Sequence, residues 1–402
     1  MKLKHINHVE DLIILEGVKG FEKALRVLDQ CSSRFRDNAR LGTKIDGSPS
    51  VVAGYDPENG KFFVGTKGAF NKTPVVCYNA QDILKNYKSN GLINKMLMAL
   101  KYFEGTIPTN RVYQGDILFG MDTESDRNLM VDDEGNYVSF KPNTIEYRIY
   151  EKSNYDMYLK ASRAFIGVCW HTQYTGDSIE NLEVLNHDTS EIVTSPKVFA
   201  VMSDFSDEFG LATFNDMEAE MFATGLNHVD EIMDGLKSDL HYSKSTITIE
   251  EIFNGSSLIT DYAMMYINQR IKKGVRYNED ECFNGFVNYI ETKYLEKIYK
   301  LKSKKCKDDA ELKMNSIIHS LYYGVNVSKI VKTVFGMHFY LSELKNIVIN
   351  KLDTAAGLFA IKCFMDDKES GPEGYVWTDD TGHSKLVNRP RFSKSNAKNH
   401  SR

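Results

Sequence analysis

The chain changes texture twice. Up to residue 177 its apolar residues gather in short strand-like runs around a few helical stretches. From about 178 to 355 they recur at helical spacing, and strand character returns only at "GYVWTDDTGHSKLV", residues 374–387. A β-rich block, a helical block and a returning hairpin do not interleave as one alternating α/β sheet. The pattern predicts an α+β domain interrupted by an inserted helical domain. A length of 402 residues, too much for one ordinary core, fits two or three domains.

Within the first block, Phe21, Ala24, Leu25 and Leu28 mark one face of a helix over 20–30. "SVVAGYD" and "KFFVGTK" read as strands joined by the turn "PENG". A helical stretch near 80–103 clusters Ile93, Met96, Leu97 and Leu100. Strands are then expected at "RVYQGDILFG", "GNYVSFKPNTIEYRIY" and the apolar "AFIGVCWHTQY". No internal repeat at solenoid periods is present.

Composition narrows the setting. Net charge is −5, so no global field draws the protein to a polyanion, and any nucleic-acid binding must come from local patches. Cys31, Cys77, Cys169, Cys282, Cys306 and Cys363 are scattered without C-x-x-C or zinc spacing, as suits a reducing compartment. The opening "MKLKHINHVEDLIILEG" lacks the long apolar run of a signal peptide, and no uncharged stretch approaches a membrane span. A cytoplasmic location without membrane attachment is expected, the host cytoplasm if the chain is phage-encoded.

The chemistry-bearing residues stand in order. "LGTKIDGS" places Lys44, Asp46 and Gly47 within four positions, just ahead of the first hairpin. "TKGAF" supplies Lys67 at the hairpin's end, "QGDIL" sets Asp116 beside Gly115, and "CWHTQY" sets Trp170 and His171 late in an apolar strand. "PEGYVW" and "SKLVNRPRF" put Glu373 and Lys385 on the two arms of the last hairpin. Any one of these strings alone is commonplace; Lys-x-Asp-Gly is usually a solvated lysine before a tight turn.

Taken in order they resemble the covalent nucleotidyltransferase superfamily of ATP-dependent DNA ligases, RNA ligases and mRNA-capping guanylyltransferases, and look like an uncharacterised bacteriophage-encoded branch of it. The K-x-D-G motif is matched by Lys44, Asp46 and Gly47. The basic residue and glycine closing a hairpin are matched by Lys67 and Gly68, and the glycine-acid motif by Gly115 and Asp116, with aspartate where glutamate is usual. E-G-x-V appears as Glu373, Gly374 and Val376, and Lys385 takes the place of the last motif's strand lysine. The resemblance covers roughly 1–177 and 360–395 and is silent on the insert.

It implies an adenylation domain of antiparallel sheets flanked by helices. Residues 1–177 would form its first part, 178–358 an all-α insertion, 359–395 the returning hairpin and 396–402 a basic tail. Lys44 would become joined to AMP from ATP, with Asp46, Glu373 and Lys385 in the catalytic set. Asp46 and Glu373 would hold Mg²⁺ or Mn²⁺. Thr43, Gly47, Lys67, Asp116, Trp170 and His171 would bind the nucleotide, Trp170 by stacking on adenine and Asp116 through a ribose hydroxyl. Gly47 would let the backbone approach the phosphate. A nucleophilic lysine must be unprotonated, whereas a free lysine titrates near 10.4. Lys67, Lys385 and the metal are expected to push the Lys44 pKa down.

Three departures qualify this. Val387 stands where a second basic residue usually follows Lys385, with Arg389 or Arg391 as substitutes. Glu373 and Lys385 are only 12 positions apart, and the sequence ends 17 residues after Lys385, so no C-terminal OB domain is expected. Basic residues also cluster at 293–307, interleaved with Tyr294 and Tyr299, and at 385–402. These read either as nucleic-acid backbone contacts or as a solvated helix end and tail. The expected activity is transfer of AMP to a polynucleotide 5′-phosphate, RNA favoured over DNA. The alternatives are a guanylyltransferase or protein-modifying nucleotidyltransferase using the same lysine, or a non-catalytic nucleotide-binding or interaction protein. The sequence does not determine an oligomeric state.

Overall fold

A computed structural model of the chain describes residues 6–32, 39–120, 126–186, 191–202, 214–245, 247–254, 257–355, 361–379 and 382–391. In chain order, strand β1 (Asn7–His8) leads into helix α1 (Leu12–Ser32). Then come β2 (Arg40–Lys44), β3 (Ser50–Tyr55), β4 (Phe62–Gly65), α2 (Ala80–Asn86), α3 (Asn90–Phe103), β5 (Val112–Gly120), β6 (Asn128–Asp132), β7 (Gly135–Phe140) and β8 (Glu146–Tyr150). After α4 (Tyr155–Arg163) follow β9 (Ile166–Thr175), β10 (Glu183–Asn186) and β11 (Val198–Met202). The helical stretch holds α5 (Asp216–Tyr242), α6 (Ile249–Ile252), α7 (Leu258–Lys273), α8 (Glu279–Lys300), α9 (Lys304–Tyr323) and α10 (Val327–Ala355). It gives way to β12 (Lys362–Met365), β13 (Lys368–Ser370), β14 (Gly374–Asp379) and β15 (Gly382–Val387). The fold is mixed α+β, and it divides into two compact units.

The first unit comprises Met1–Ile6, Ala39–Gly210 and Asp353–Thr378. Its main sheet runs β10-β9-β5-β3-β4, antiparallel, with β11 added parallel to β9. Strand alternation gives this sheet two apolar faces. On one, Val51, Ala53, Tyr113, Ile117, Val168 and Trp170 pack against Met96, Ala99 and Phe103 of α3. On the other, Val52, Phe63, Val112 and Tyr174 meet Ile179 and Leu182. A second antiparallel sheet runs β13-β12-β8-β7-β6, and β14 pairs antiparallel with β2. Asn79 and Asn154 cap α2 and α4 by accepting backbone N–H groups, which fixes where those helices begin.

The second unit comprises Asn7–Asn38, Leu211–Leu352 and Asp379–Arg402. Helix α1 buries Phe21, Ala24, Val27 and Leu28, and within this unit it packs on α5, α6 and α7. An Asn215–Glu218 capping box starts α5, and Gly274 ends α7 in the left-handed conformation. β1 pairs parallel with β15, setting His8 opposite Lys385. Beside that pair lies a buried charge network. Lys345 Nζ sits 2.5 Å from Glu10 Oε1, His338 Nε2 lies 2.9 Å from Asp11 Oδ1, and the Arg389 guanidinium donates to Asp11. Lys345 and Glu10 are wholly buried. Burial works against the Glu10 carboxylate, but Lys345 and Arg389 hold its pKa down at about 2. Burial, helped by the charges of Arg389 and Lys345 against those of Glu10 and Asp11, drives His8 down to about 3 and keeps it neutral.

The division of the chain differs from the expected one in three places. Residues from 178, expected to open the helical insertion, first form β10 and β11, short strands that complete the main sheet; among the described residues the next helix is Asp216–Tyr242. Helix α1 and the strand carrying Lys385, expected in the nucleotidyltransferase part, belong to the helical unit. The reason for α1 is its broad apolar face, which finds partners on α5–α7. Residues 396–402 lie outside the described residues. Among the described residues no helix is long and apolar enough to cross a membrane.

Candidate active site

Lys44 ends β2, and the antiparallel register sets Gly374 of β14 directly opposite it. Glu373, one residue earlier, is thereby delivered to the lysine, and the Lys44 ammonium donates to its carboxylate. A second donation, 3.0 Å long, goes to Asp46 Oδ1. Asp46 is itself held from both ends. Its Oδ2 accepts from Asn143 Nδ2 at 2.5 Å. Its backbone N–H donates to the Tyr147 hydroxyl at 2.9 Å, and that hydroxyl donates onward to the Asp46 carbonyl at 3.2 Å. Tyr147 is fully buried, so this clamp is anchored in the core beneath the loop.

The electrostatics reverse one expectation. Burial works against the Lys44 ammonium, but the Glu373 and Asp46 carboxylates outweigh it and raise its pKa above that of an ordinary lysine. The neighbours of Lys44 within this unit are anions rather than the cations expected from the sequence. The lysine is stored as an ammonium and must give up a proton before it can act as a nucleophile.

Asp116 on β5 belongs to the same neighbourhood. Burial, with the Asp46 charge added, pushes its pKa up to about 6 against the pull of Lys44 and Lys67. His171 Nε2 lies 4.0 Å from Asp116 Oδ2, and its Nδ1 lies 2.7 Å from Thr172 Oγ1. Lys67 is exposed in the short helical turn Lys67–Phe70 after β4, close enough for its charge to act on Asp116.

Trp170, Thr43 and Gly47 are held by packing. Trp170 is 0% exposed, edge-on to Phe103 and Tyr113 with ring centroids 5.1 and 6.2 Å away. A ring enclosed in that core has no free face for a purine; its neighbour His171, skipped by the β5–β9 register, reaches towards Asp116 instead. Thr43 is also buried, opposite Tyr375 in the β2–β14 register, and strand alternation turns it away from Lys44. Gly47 is packed tightly against β5: a Cβ there would fall 2.5 Å from the Ile117 carbonyl oxygen. Lys385 lies on β15 of the helical unit. Arg389, a candidate second basic residue of the last motif, is committed to Asp11 and Glu10.

Asp46 and Glu373 fit a divalent cation as two hard oxygen donors aimed at one point, now held by the Lys44 ammonium. Among the described residues no group of three or more His, Cys, Asp and Glu side chains could cage a metal. A Mg²⁺ ion here would therefore need substrate oxygens to complete its shell, which is its usual habit with nucleotides. Asn143 and Tyr147 escaped sequence reading, because neither falls in a motif and their role depends on a contact about a hundred positions away.

The chain belongs to DUF6267, a family of unknown function that matches residues 3–400. No curated protein and no solved structure matches it.

Proposed function

We propose that this protein is a covalent nucleotidyltransferase of the polynucleotide ligase type, with Lys44 as the nucleophile. What carries the reading is the convergence of Lys44, Asp46 and Glu373, the last 329 positions from the first, in the relation that lysine adenylation needs. The ammonium, hydrogen-bonded to Glu373 and Asp46, first releases a proton to solvent, which leaves both carboxylates ionised. The amine attacks the α-phosphorus of ATP: an N–P bond forms, the bond to the bridging oxygen breaks, and pyrophosphate leaves with the electron pair. A polynucleotide 5′-phosphate oxygen then displaces the lysine, which recovers its proton while AMP passes to the strand end. Mg²⁺, held by Asp46 and Glu373, would neutralise charge on the phosphates. Asp116 and His171 line the place for ribose and base, and Lys67 stands where it can meet the phosphates. The acceptor is read as RNA ahead of DNA from the likeness of the "NRPRF" ending to RNA-ligase cores.

The test is intact-mass measurement after incubation with ATP or GTP and Mg²⁺. A single adenylyl adduct on the wild-type chain, absent from Lys44→Arg, is the expected result. Failure of either nucleotide to label Lys44 overturns the reading. Should an adduct form, a nicked duplex or a 5′-phosphorylated single strand identifies the acceptor.

A further inference from the structure

The lysine-rich run 293–307 closes α8 and opens α9, and the structure sorts its members. Lys293 is already engaged: its Nζ lies 2.9 Å from Glu296 Oε2 and 5.6 Å from the centre of the Tyr289 ring. Tyr294 is buried, with Lys297 above its ring at 5.8 Å. Beyond these two, Lys300, Lys302, Lys304, Lys305 and Lys307 form no ion pair among the described residues, and the segment from Lys297 to Lys307 contains no acid. In their midst Tyr299 is 88% exposed, more than any other large apolar side chain among the described residues.

This corner works against the stability of its own helix. The first turn of α9 carries Lys304, Lys305 and Lys307 and no acid, and Ser303 makes no side-chain capping bond. Cations at a helix N-terminus oppose the backbone dipole, and neighbouring lysines repel one another. A chain selected for folding alone would place acids there, as α5 and α8 do at their own first turns. A bound polyanion would relieve both penalties at once.

The chemistry points to one kind of polyanion. The apolar face of α8, made of Phe283, Phe286, Val287, Ile290 and Tyr294, is buried, so no amphipathic face is left to lie in a lipid headgroup layer. One fully presented ring among unpaired lysines is the combination that holds single strands, with phosphates on the cations and a base stacked on the aromatic.

We propose that the α8–α9 corner is a binding platform for single-stranded polynucleotide, sequence-independent, with Lys300, Lys302, Lys304 and Lys305 on phosphates and Tyr299 under a base. The proposal names the surface that holds the acceptor strand and to that extent rests on the proposed function, yet the two fail separately. An adduct at Lys44 without strand binding removes the platform alone. Strand binding without an adduct removes the adenylation chemistry alone.

The experiment is fluorescence anisotropy of the full chain, without nucleotide, on a labelled mixed-sequence oligonucleotide of about 16 nucleotides. Salt is varied between about 50 and 200 mM. Substituting Lys300, Lys302, Lys304 and Lys305 together by Gln should weaken binding at least about tenfold and flatten the slope of log affinity against log salt by about 3. Tyr299→Ala should weaken it about tenfold and leave that slope unchanged. All five side chains are exposed, so thermal unfolding should match the wild type. The proposal is overturned if the wild type does not bind, or if the four-lysine variant keeps affinity and slope. It is equally overturned if a duplex binds as tightly while Tyr299→Ala changes nothing, or if phosphatidylserine vesicles bind and the oligonucleotide does not compete.

Discussion

The Lys44 ammonium rests on the carboxylate of Glu373, 329 positions away, because β14 runs antiparallel to β2 with Gly374 opposite the lysine. A backbone register, rather than side-chain flexibility, sets this pair. The lysine's raised pKa stabilises the fold below an unfolded-state value near 10.4, and the contribution disappears as pH rises through the higher folded value. Across the neutral range the pair is therefore fully formed, and the Lys44 amine is fully protonated at rest.

Asp46 is positioned by two residues with no chemistry of their own. Tyr147→Phe removes the hydroxyl that closes the Asp46 loop, and Asn143→Ala frees its second carboxylate oxygen. Each should slow adduct formation at Lys44 by about 10- to 100-fold. Nucleotide affinity should change much less. Single-turnover labelling with a nucleotide titration separates the two quantities, and a purely structural role would show instead as equal loss in both.

Asp116 should cost stability at neutral pH. Its folded pKa of about 6 exceeds the ordinary carboxylate value, so the folded state binds a proton more tightly than the unfolded one. Stability is then greatest below the unfolded value near 3.9 and declines as pH rises through about 6. Asp116→Asn should stabilise the protein by about 2 kcal/mol at pH 7–8, an advantage that vanishes below about pH 4. Denaturant unfolding across that range is the measurement; a pH-independent difference would contradict the shift.

Trp170 and Trp377 are the chain's two tryptophans, and both are fully buried. Their emission should be blue-shifted and resistant to acrylamide, and ATP should leave it unquenched. Trp170→Ala should destabilise the fold by about 3–5 kcal/mol through the cavity left between Phe103 and Tyr113. His171→Ala, by contrast, should weaken nucleotide binding with little effect on unfolding. Strong quenching by ATP would return the indole to the nucleotide.

Arg389 closes the buried network of the helical unit. Arg389→Met leaves the Asp11 and Glu10 carboxylates short of a cation in the interior and should cost about 3–5 kcal/mol. Because Glu10 is held down at about 2, its contribution is present above the unfolded value near 4.3 and fades as pH falls towards 2. The wild type should therefore lose stability over that acid range, and Arg389→Met should lose less. Parallel acid titrations of the two would expose an equal loss if the network were inert.

What could be read from the sequence was local. The β3–β4 hairpin, the helical pair α2–α3 and the long strands β5 and β9 follow from alternation and turn residues, which act between near neighbours. The order of Lys44, Asp46 and Glu373 was equally visible, since each sits in its own short string. The faces of β9 were harder. An apolar run such as "IGVCW" is buried on both sides, so nothing in it tells whether Trp170 looks at a core or at a cleft. Thr43 was misjudged for a similar reason, as its position next to Lys44 places it on the opposite side of the strand. Arg389 was counted with a basic tail because its partners, Glu10 and Asp11, sit near the other extreme of the numbering. Glu10, Asp11 and Lys345 each look like solvated charges until the fold puts them together.

That network also sets a timetable. Asp11 is synthesised before the guanidinium that compensates it, which comes 378 positions later. At ordinary elongation rates the wait is about 20–75 s. Throughout it the helical unit can collapse only provisionally, because sealing the Val9–Asp11 turn against α10 would trap carboxylates without their full complement of cations. Synthesis of the Arg389 segment, rather than completion of the long helices, is what lets this buried network close.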